Sequence, residues 1–330
     1  MNILITNDDG IEAQGIHALA KKFKEMGNVV VVAPNKQMSA TSHSITTVNP
    51  IRVQKYHKDD VFFGYAITGT PADCVKLALT TLLDEKPDLV LSGINHGRNT
   101  GINIMYSGTV AGAAEGFLIG IPSFAISLSS HDVELECDTA AEYAFKIVSE
   151  IMKQEDKKNI FININIPAVE KEKIQGIKTA KSSNSYWEDE YEKRIDPFGR
   201  PYFWFNGSYI YDANEEDIDD AVLDAGYIAV TPLQYQFTNL EQLEIIKVLV
   251  ENIKNIEDEE ENLEENLENG ENIEDLESEE NLENKENIEN LENEENKEIS
   301  AEELVEEVPD EDPIFKLVDA EIEKILSEDE

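Results

Sequence analysis

The sequence predicts an α/β protein of the doubly wound, Rossmann-like kind with a mostly parallel sheet, and three observations carry that expectation. Short β-branched runs recur without polar alternation, longer helical patterns separate them, and glycine- or hydroxyl-rich segments follow several of the runs. Ile3 to Thr6, Val29 to Ala33, Asp88 to Leu91, Ser123 to Leu128 and Ile160 to Ile166 read as strands buried on both faces, as in a parallel sheet covered by helices. Helical stretches lie between them around 15–26, 71–83, 107–119 and 139–153. Their alternation places helices on both sides of one sheet.

Two stretches break the rhythm. Residues 45–67 alternate like a β-hairpin. Residues 174–211 hold Trp187, Tyr191, Pro197, Tyr202, Trp204 and Tyr209 in short extended pieces, and they are expected to leave the main sheet as an arm or an oligomer contact. Helix resumes over Asp217 to Leu223 and strand in GYIAVTPL at 226–233.

The folded domain is expected to span 1–250, because the composition then changes abruptly. Residues 251–298 form a low-complexity Glu/Asn-rich repeat whose apolar residues keep neither a heptad nor a core-facing stripe, so disorder or a fraying, solvated helix is expected. Residues 299–330 stay acidic, with a short amphipathic helix expected over 313–327. Asp312 and Pro313 suit its N-cap and first turn, and Ile314, Val318, Ile322 and Ile325 lie near one face.

Charge narrows the partners. The net charge is −43, of which residues 251–330 contribute −30 with 35 of the 70 acidic and 5 of the 27 basic residues. The first 250 residues still carry −13. Acidity in both parts argues against a nucleic-acid polymer or an anionic membrane as partner, since both repel it at long range. A small phosphate ester is compatible once a cation is bound. Cys74 and Cys137 lie in apolar segments without Cys or His at metal-finger spacing, which suits reduced core thiols. MNILITNDDG has no basic, apolar, cleavable leader pattern, and no apolar run reaches about 18 residues, so a soluble, cytoplasmic protein is expected.

Three segments just past strand ends carry the chemistry. NDDG at 7–10 follows the first strand, where ligands of open α/β sheets bind, and a hard divalent cation would relieve the repulsion between Asp8 and Asp9. The plainer alternative is a turn in which Asp8 caps a helix and Asp9 faces solvent. LSGINHGRNTGINIMYSGTVAGAAEG at 91–116 offers Asn95, Asn99 and Asn103 as neutral ligands. Its Ser107-Gly108-Thr109 stands at a helix N-terminus, as a phosphate seat or as a simple cap. PNKQMSATSHSIT at 34–46 brings hydroxyls and His43 towards the same rim, or ordinary turn residues. Competing motifs are missing: no GxxxxGKS/T, no GxGxxG after the first strand, no GxSxG and no HExxH, and the two acids after the first strand are adjacent rather than spaced as DxD.

Taken together, NDDG (7–10), GTPADCV (69–75), SGIN-x-G-x-N-x-G (92–101), YSGTVAGAAEG (106–116) and GYIAVTPL (226–233) resemble the SurE family of survival proteins, divalent-metal-dependent 5′/3′-nucleotidases. The resemblance covers nearly all of residues 1–250 and stops near Val250. It implies metal ligands at Asp8, Asp9, Ser39 and Asn95, with Ser42 as the neighbouring alternative to Ser39. It implies a phosphate-contacting segment at Ser107, Gly108 and Thr109, to which Asn99 is added from its place in the same loop. It further implies one Mg²⁺ or Mn²⁺, nucleoside monophosphates as substrates with some action on short polyphosphate, and a homodimer or homotetramer. Exchange of a C-terminal arm between subunits would suit the excursion at 174–211.

The expected reaction is attack on the phosphoryl group by water activated by that cation, with Asp8, Asp9 and Asn95 as the catalytic set. Two rivals stand beside it. One is an aspartyl-phosphate phosphatase with Asp8 or Asp9 as nucleophile. The other is a non-catalytic nucleotide-binding regulator that works through its acidic tail.

Overall fold

Every run read as a buried strand forms one, and the sheet they build is larger than those runs alone. The computed structural model describes residues 1–133, 135–157 and 159–268. The chain divides into two units, Met1–Phe237 and Thr238–Glu330. In the first, β1 (Asn2–Thr6) and β2 (Asn28–Pro34) flank α1 (Gln14–Phe23). The hairpin β3 (Val53–Lys58) and β4 (Val61–Ile67) follows, then α2 (Pro71–Leu77) with a π-turn over Ala78–Leu82. Next come β5 (Leu89–His96), the single-turn α3 (Asn103–Tyr106), α4 (Gly108–Leu118), β6 (Ser123–Leu128), α5 (Asp138–Ile151) and β7 (Phe161–Ile166). The unit ends with β8 (Ile177–Thr179), β9 (Tyr186–Ile195), β10 (Pro201–Ile210), α6 (Asp219–Asp224) and β11 (Ile228–Pro232).

Nine strands form one sheet in the order β3-β4-β2-β1-β5-β6-β7-β11-β8. The central pairs from β4 to β7 are all parallel, and antiparallel pairs occur only at β3–β4 and β7–β11. The expected hairpin is confined to Val53–Ile67, residues 45–52 forming no strand, and it extends the sheet, with Asp59 and Asp60 at φ 51° and 63° making the tight turn. The excursion at 174–211 splits. Its start, β8, pairs with β11 in the main sheet, while β9 and β10 form a separate antiparallel ribbon.

Strand alternation sorts the core into layers. Ile3 and Ile5 face α1 and α5 with Ile16, Leu19, Phe23, Ala144 and Val148, whereas Leu4 faces α2 with Cys74 and Val75. Full burial of each Leu, Ile or Phe here contributes about 1.5–3 kcal/mol. The GTPADCV segment owes its pattern to a helix start: Thr70 and Asp73 form a reciprocal capping box with Pro71 in the first turn. Cys74 and Cys137 are buried, free thiols.

In the second unit, α7 (Leu240–Glu268) is a helix that exposes Leu243, Ile246, Leu249, Val250 and Ile253. The expected segment 251–298 is described only to residue 268, where it is helical, and the amphipathic helix expected over 313–327 lies outside the described residues. Among the described residues, no helix is long and apolar enough to cross a membrane.

His17 on α1 packs its ring 4.1 Å from that of Phe63 in β4. Burial, with Lys58 nearby, lowers its pKa from 6.5 to about 4. A folded-state pKa below the unfolded one means that the unfolded chain takes up the proton first, so this stability is present above about pH 6.5 and is lost as pH falls towards 4. Urea midpoints measured between those limits are expected to fall less steeply for His17→Gln than for the native chain; parallel slopes would contradict this.

Candidate active site

The carboxyl ends of β1, β2 and β5 converge on a cleft of about 600 Å³, large enough for a small ligand. Asp8, Ser39, Asn95, Asn99 and Ser107 line it together, although they come from four separate stretches of chain. Met38 N–H donates to the Asp8 carbonyl at 2.7 Å, which brings the 35–39 loop to β1. Asn7 closes the NDDG turn by donating to the Gly10 carbonyl at 2.9 Å.

Asp8 is buried, and α4 is what keeps its carboxylate in place. Thr109 Oγ1 donates to Asp8 Oδ1 at 2.5 Å and Thr109 N–H to Oδ2 at 3.2 Å, at the positive end of the helix. Gly108 allows this approach, because a Cβ there would lie 2.9 Å from the Asp8 Cβ. Burial raises the Asp8 pKa from 3.8 to about 6, Thr109 opposes the rise and the Asp9 charge adds to it. Asp9 accepts from the His96 backbone N–H at 3.0 Å and stands 3.3 Å from His96 Nδ1. That contact with Asp9, helped by Cys137, raises the His96 pKa from 6.5 to about 10.

The neutral ligand candidates separate clearly. Asn95 belongs to β5 rather than to a loop after it, since a bulge between Ser92 and Asn95 lets the strand run on to His96. Its Nδ2 donates to the Gly97 carbonyl at 2.8 Å, which directs its own carbonyl elsewhere. Ser39 Oγ accepts from Gln37 at 2.8 Å and keeps its proton and a lone pair. Ser42 instead donates to the Met105 carbonyl at 2.6 Å and does not line this cleft. His43 is likewise committed, 2.8 Å from Glu115 and 2.6 Å from the Tyr235 hydroxyl. Ser107 caps α4 through Val110 N–H at 3.0 Å and still lines the cleft. Thr109 does not line the cleft and spends both donors on Asp8.

The Asp8 carboxylate, the Asn95 amide and the Ser39 hydroxyl line the cleft together and are the hard oxygen donors that Mg²⁺ or Mn²⁺ takes, whereas Asp9, the second expected carboxylate, does not line it and turns one oxygen to His96. Among the described residues no group of three or more His, Cys, Asp or Glu is arranged to hold a metal, so the neutral oxygens are needed to complete this set. A cation there would also relieve the Asp8–Asp9 repulsion.

Several supporting residues carry no motif. Asn163 and Asn165 of β7 point into the core and hold the backbone of Asn99: Asn163 Nδ2 donates to its carbonyl at 2.7 Å and Asn99 N–H donates to Asn165 Oδ1 at 2.8 Å. The sequence signal was FININI, a buried strand with two amides that need partners. Asp219 and Asp220, both fully buried, hold the next residues. Gly101 N–H donates to Asp219 at 3.0 Å, and Asp220 accepts from Thr100 and Ser183 at 2.6 Å each and from Tyr209 at 2.8 Å. Loop 97–103 is thus fastened to β7, to α6 and to the β9–β10 ribbon.

Fold and site together define a class: an open α/β protein with a cleft at the carboxyl ends of its parallel strands, lined by Asp8 and by hydroxyl and amide side chains. Within that class the chain belongs to the SurE family, whose profile, described as survival protein SurE, matches residues 3–189. It is 42% identical over 238 residues to a 5′-nucleotidase SurE of Chlorobium phaeobacteroides, covering 72% of this chain and 92% of that protein. It is 43% identical over 242 residues to the 5′-nucleotidase SurE of Chlorobium chlorochromatii, covering 73% and 89%. The crystal structure of the SurE protein from Aquifex aeolicus superposes with a TM-score of 0.66 at 38% identity, covering 76% of this chain and 99% of that one.

Asp220→Ala leaves the buried Thr100 and Ser183 hydroxyls without their carboxylate and takes one of its partners from Tyr209, so it is expected to cost about 3–5 kcal/mol in urea unfolding. Asp224→Ala, which removes a half-exposed partner of Arg98, is expected to cost under about 1 kcal/mol. Equal costs would contradict the assignment of the clamp to Asp220.

Proposed function

We propose that this chain is a divalent-cation-dependent phosphomonoesterase that hydrolyses nucleoside 5′-monophosphates to nucleoside and phosphate, with 3′-monophosphates and short polyphosphate as secondary substrates. The observation that carries the reading is Asp8, held at the N-terminus of α4 in the same cleft as Ser39, Asn95 and Ser107. The relatives' name, 5′-nucleotidase, supplies the substrate class.

In this reading Asp8, Asp9, Ser39 and Asn95 hold one Mg²⁺ or Mn²⁺. When bound, the cation offsets phosphate charge and lowers the pKa of water towards neutrality. The chain's own groups do the rest. Thr109 and His96 fix the two carboxylates, so little reorganisation accompanies the reaction. Ser107, the Gly108 backbone and Asn99 receive the phosphoryl oxygens, with the α4 dipole favouring the negative charge. Thr109 serves the phosphate seat through Asp8. Both Asp8 oxygens accept hydrogen bonds from Thr109, which favours a fixed ligand over an attacking nucleophile.

The apolar faces of α7 and of the β9–β10 ribbon, where Tyr191, Phe203 and Phe205 are exposed, support a homo-oligomer, either a dimer or a tetramer. The free, buried thiols support a cytoplasmic location.

Phosphate release from 5′- and 3′-monophosphates and tripolyphosphate is expected to stop in EDTA and to return with Mn²⁺ or Mg²⁺. Asp8→Asn is expected to lose at least about a hundredfold, the scale for losing a preorganised charge-stabilising group. A chain ending at residue 250 should keep its activity. Undiminished turnover in EDTA and in Asp8→Asn would contradict the mechanism, and tight nucleotide binding without turnover would favour a regulator acting through the tail.

A further inference from the structure

The cleft has an aromatic side that phosphate chemistry does not use. Trp187 and Tyr209 are directly opposed across the β9–β10 ribbon and share one face of it, with ring centroids 5.4 Å apart. Both line the cleft that contains Asp8 and Ser107, and so do Asn103 and Tyr106, one turn apart on α3. Ser107 follows Tyr106 directly in the chain, so aromatic and phosphate-facing groups are adjacent.

The polar handles of this wall are turned into the protein. Trp187 Nε1 donates to Asn103 Oδ1 at 2.9 Å, and the Tyr209 hydroxyl donates to Asp220 at 2.8 Å and stands 2.7 Å from the Ser185 hydroxyl, from which it can accept. What remains for the cleft is ring surface. The Trp187 residue is 37% exposed and Tyr106 53%, in a ribbon tied to loop 97–103 rather than free to swing. Asn103, with its oxygen occupied by Trp187, has amide hydrogens left to donate. A rigid ring beside an amide donor fits a flat heteroaromatic group with acceptor atoms on its edge, and a base–aromatic stack tolerates any base because each has a π-face. Asp8 is the only carboxylate lining this cleft among the described residues, so nothing else there repels an electron-rich ring.

We propose that this wall is the nucleobase subsite: the base of a nucleoside monophosphate stacks on the Trp187 indole beside Tyr106, and Asn103 donates to its edge. The inference rests on the nucleotidase reading for its substrate class, and it makes Trp187 a determinant of preference for nucleotides over simple sugar phosphates.

The test compares 5′-AMP with ribose 5-phosphate, which lacks the base, in the full chain with Mn²⁺. Trp187→Ala is expected to lower kcat/KM for AMP by roughly 5- to 100-fold, mainly through KM, while ribose 5-phosphate stays within about twofold. Trp187→Phe keeps a ring and is expected to recover most of the loss. In Trp204→Phe, Trp187 is the one remaining tryptophan of two, and AMP is expected to quench its fluorescence where ribose 5-phosphate does not. Equal losses for both substrates, or no AMP-specific quenching, would overturn the subsite. AMP-specific quenching without phosphate release from either compound would overturn the hydrolase reading and leave the subsite standing.

Discussion

Two neighbouring carboxylates at the end of the central strand impose the condition that the rest of this structure meets. Asp8 and Asp9 repel each other, and burial makes the charge on Asp8 harder still to keep. The fold answers with groups from distant parts of the chain. Thr109 supplies two donors at a helix start, and His96, at the end of β5, supplies a ring nitrogen and a backbone N–H for Asp9. This arrangement needs β1 between β2 and β5, so that their carboxyl ends surround one spot, and it needs glycine at 108 so that α4 can approach. The proposed cation would further offset the charge of the pair.

A second condition follows from the first. Oxygen ligands and phosphate-facing groups on a loop are useful only if the loop is held still, since displacements near 1 Å can cost about a hundredfold in rate. Here the loop carrying Asn99 to Asn103 is pinned by buried amides and carboxylates rather than by apolar packing. Buried polar groups cost stability unless they are paired, and Asn165, Asp219 and Asp220 each find their partners on this loop or at Ser183. Through Tyr209 the same clamp fixes the aromatic ribbon, so the two sides of the cleft share one support.

Much of this was legible in the residues. Continuous apolar runs separated by helical patterns gave the layered parallel sheet, because burial on both faces suppresses polar alternation. NDDG and the glycine-rich stretch at 91–116 marked the rim, since strand ends with short polar residues have few purely structural uses. The bulge that carries β5 to His96 was not legible, because glycine-rich sequence reads as loop whichever way the backbone turns. Nor was the use of Thr109, as a helix N-terminus beside a phosphate-like motif looks the same whether its donors serve a ligand or a carboxylate. Asn163, Asn165, Asp219 and Asp220 act across 36 to 120 residues of sequence, and local pattern has no means of pairing groups so far apart. The resemblance placed Ser39 ahead of Ser42, and the bond from Ser42 to the Met105 carbonyl supports that order.

The most direct test of the central claim is anomalous diffraction from crystals of the full chain grown with Mn²⁺. The expected result is one strong peak bounded by oxygens of Asp8, Asp9, Ser39 and Asn95, at the roughly 2.0–2.6 Å spacing of hard-cation ligation. A Mn²⁺ held elsewhere, with Asp8 still bonded only to Thr109, would contradict it.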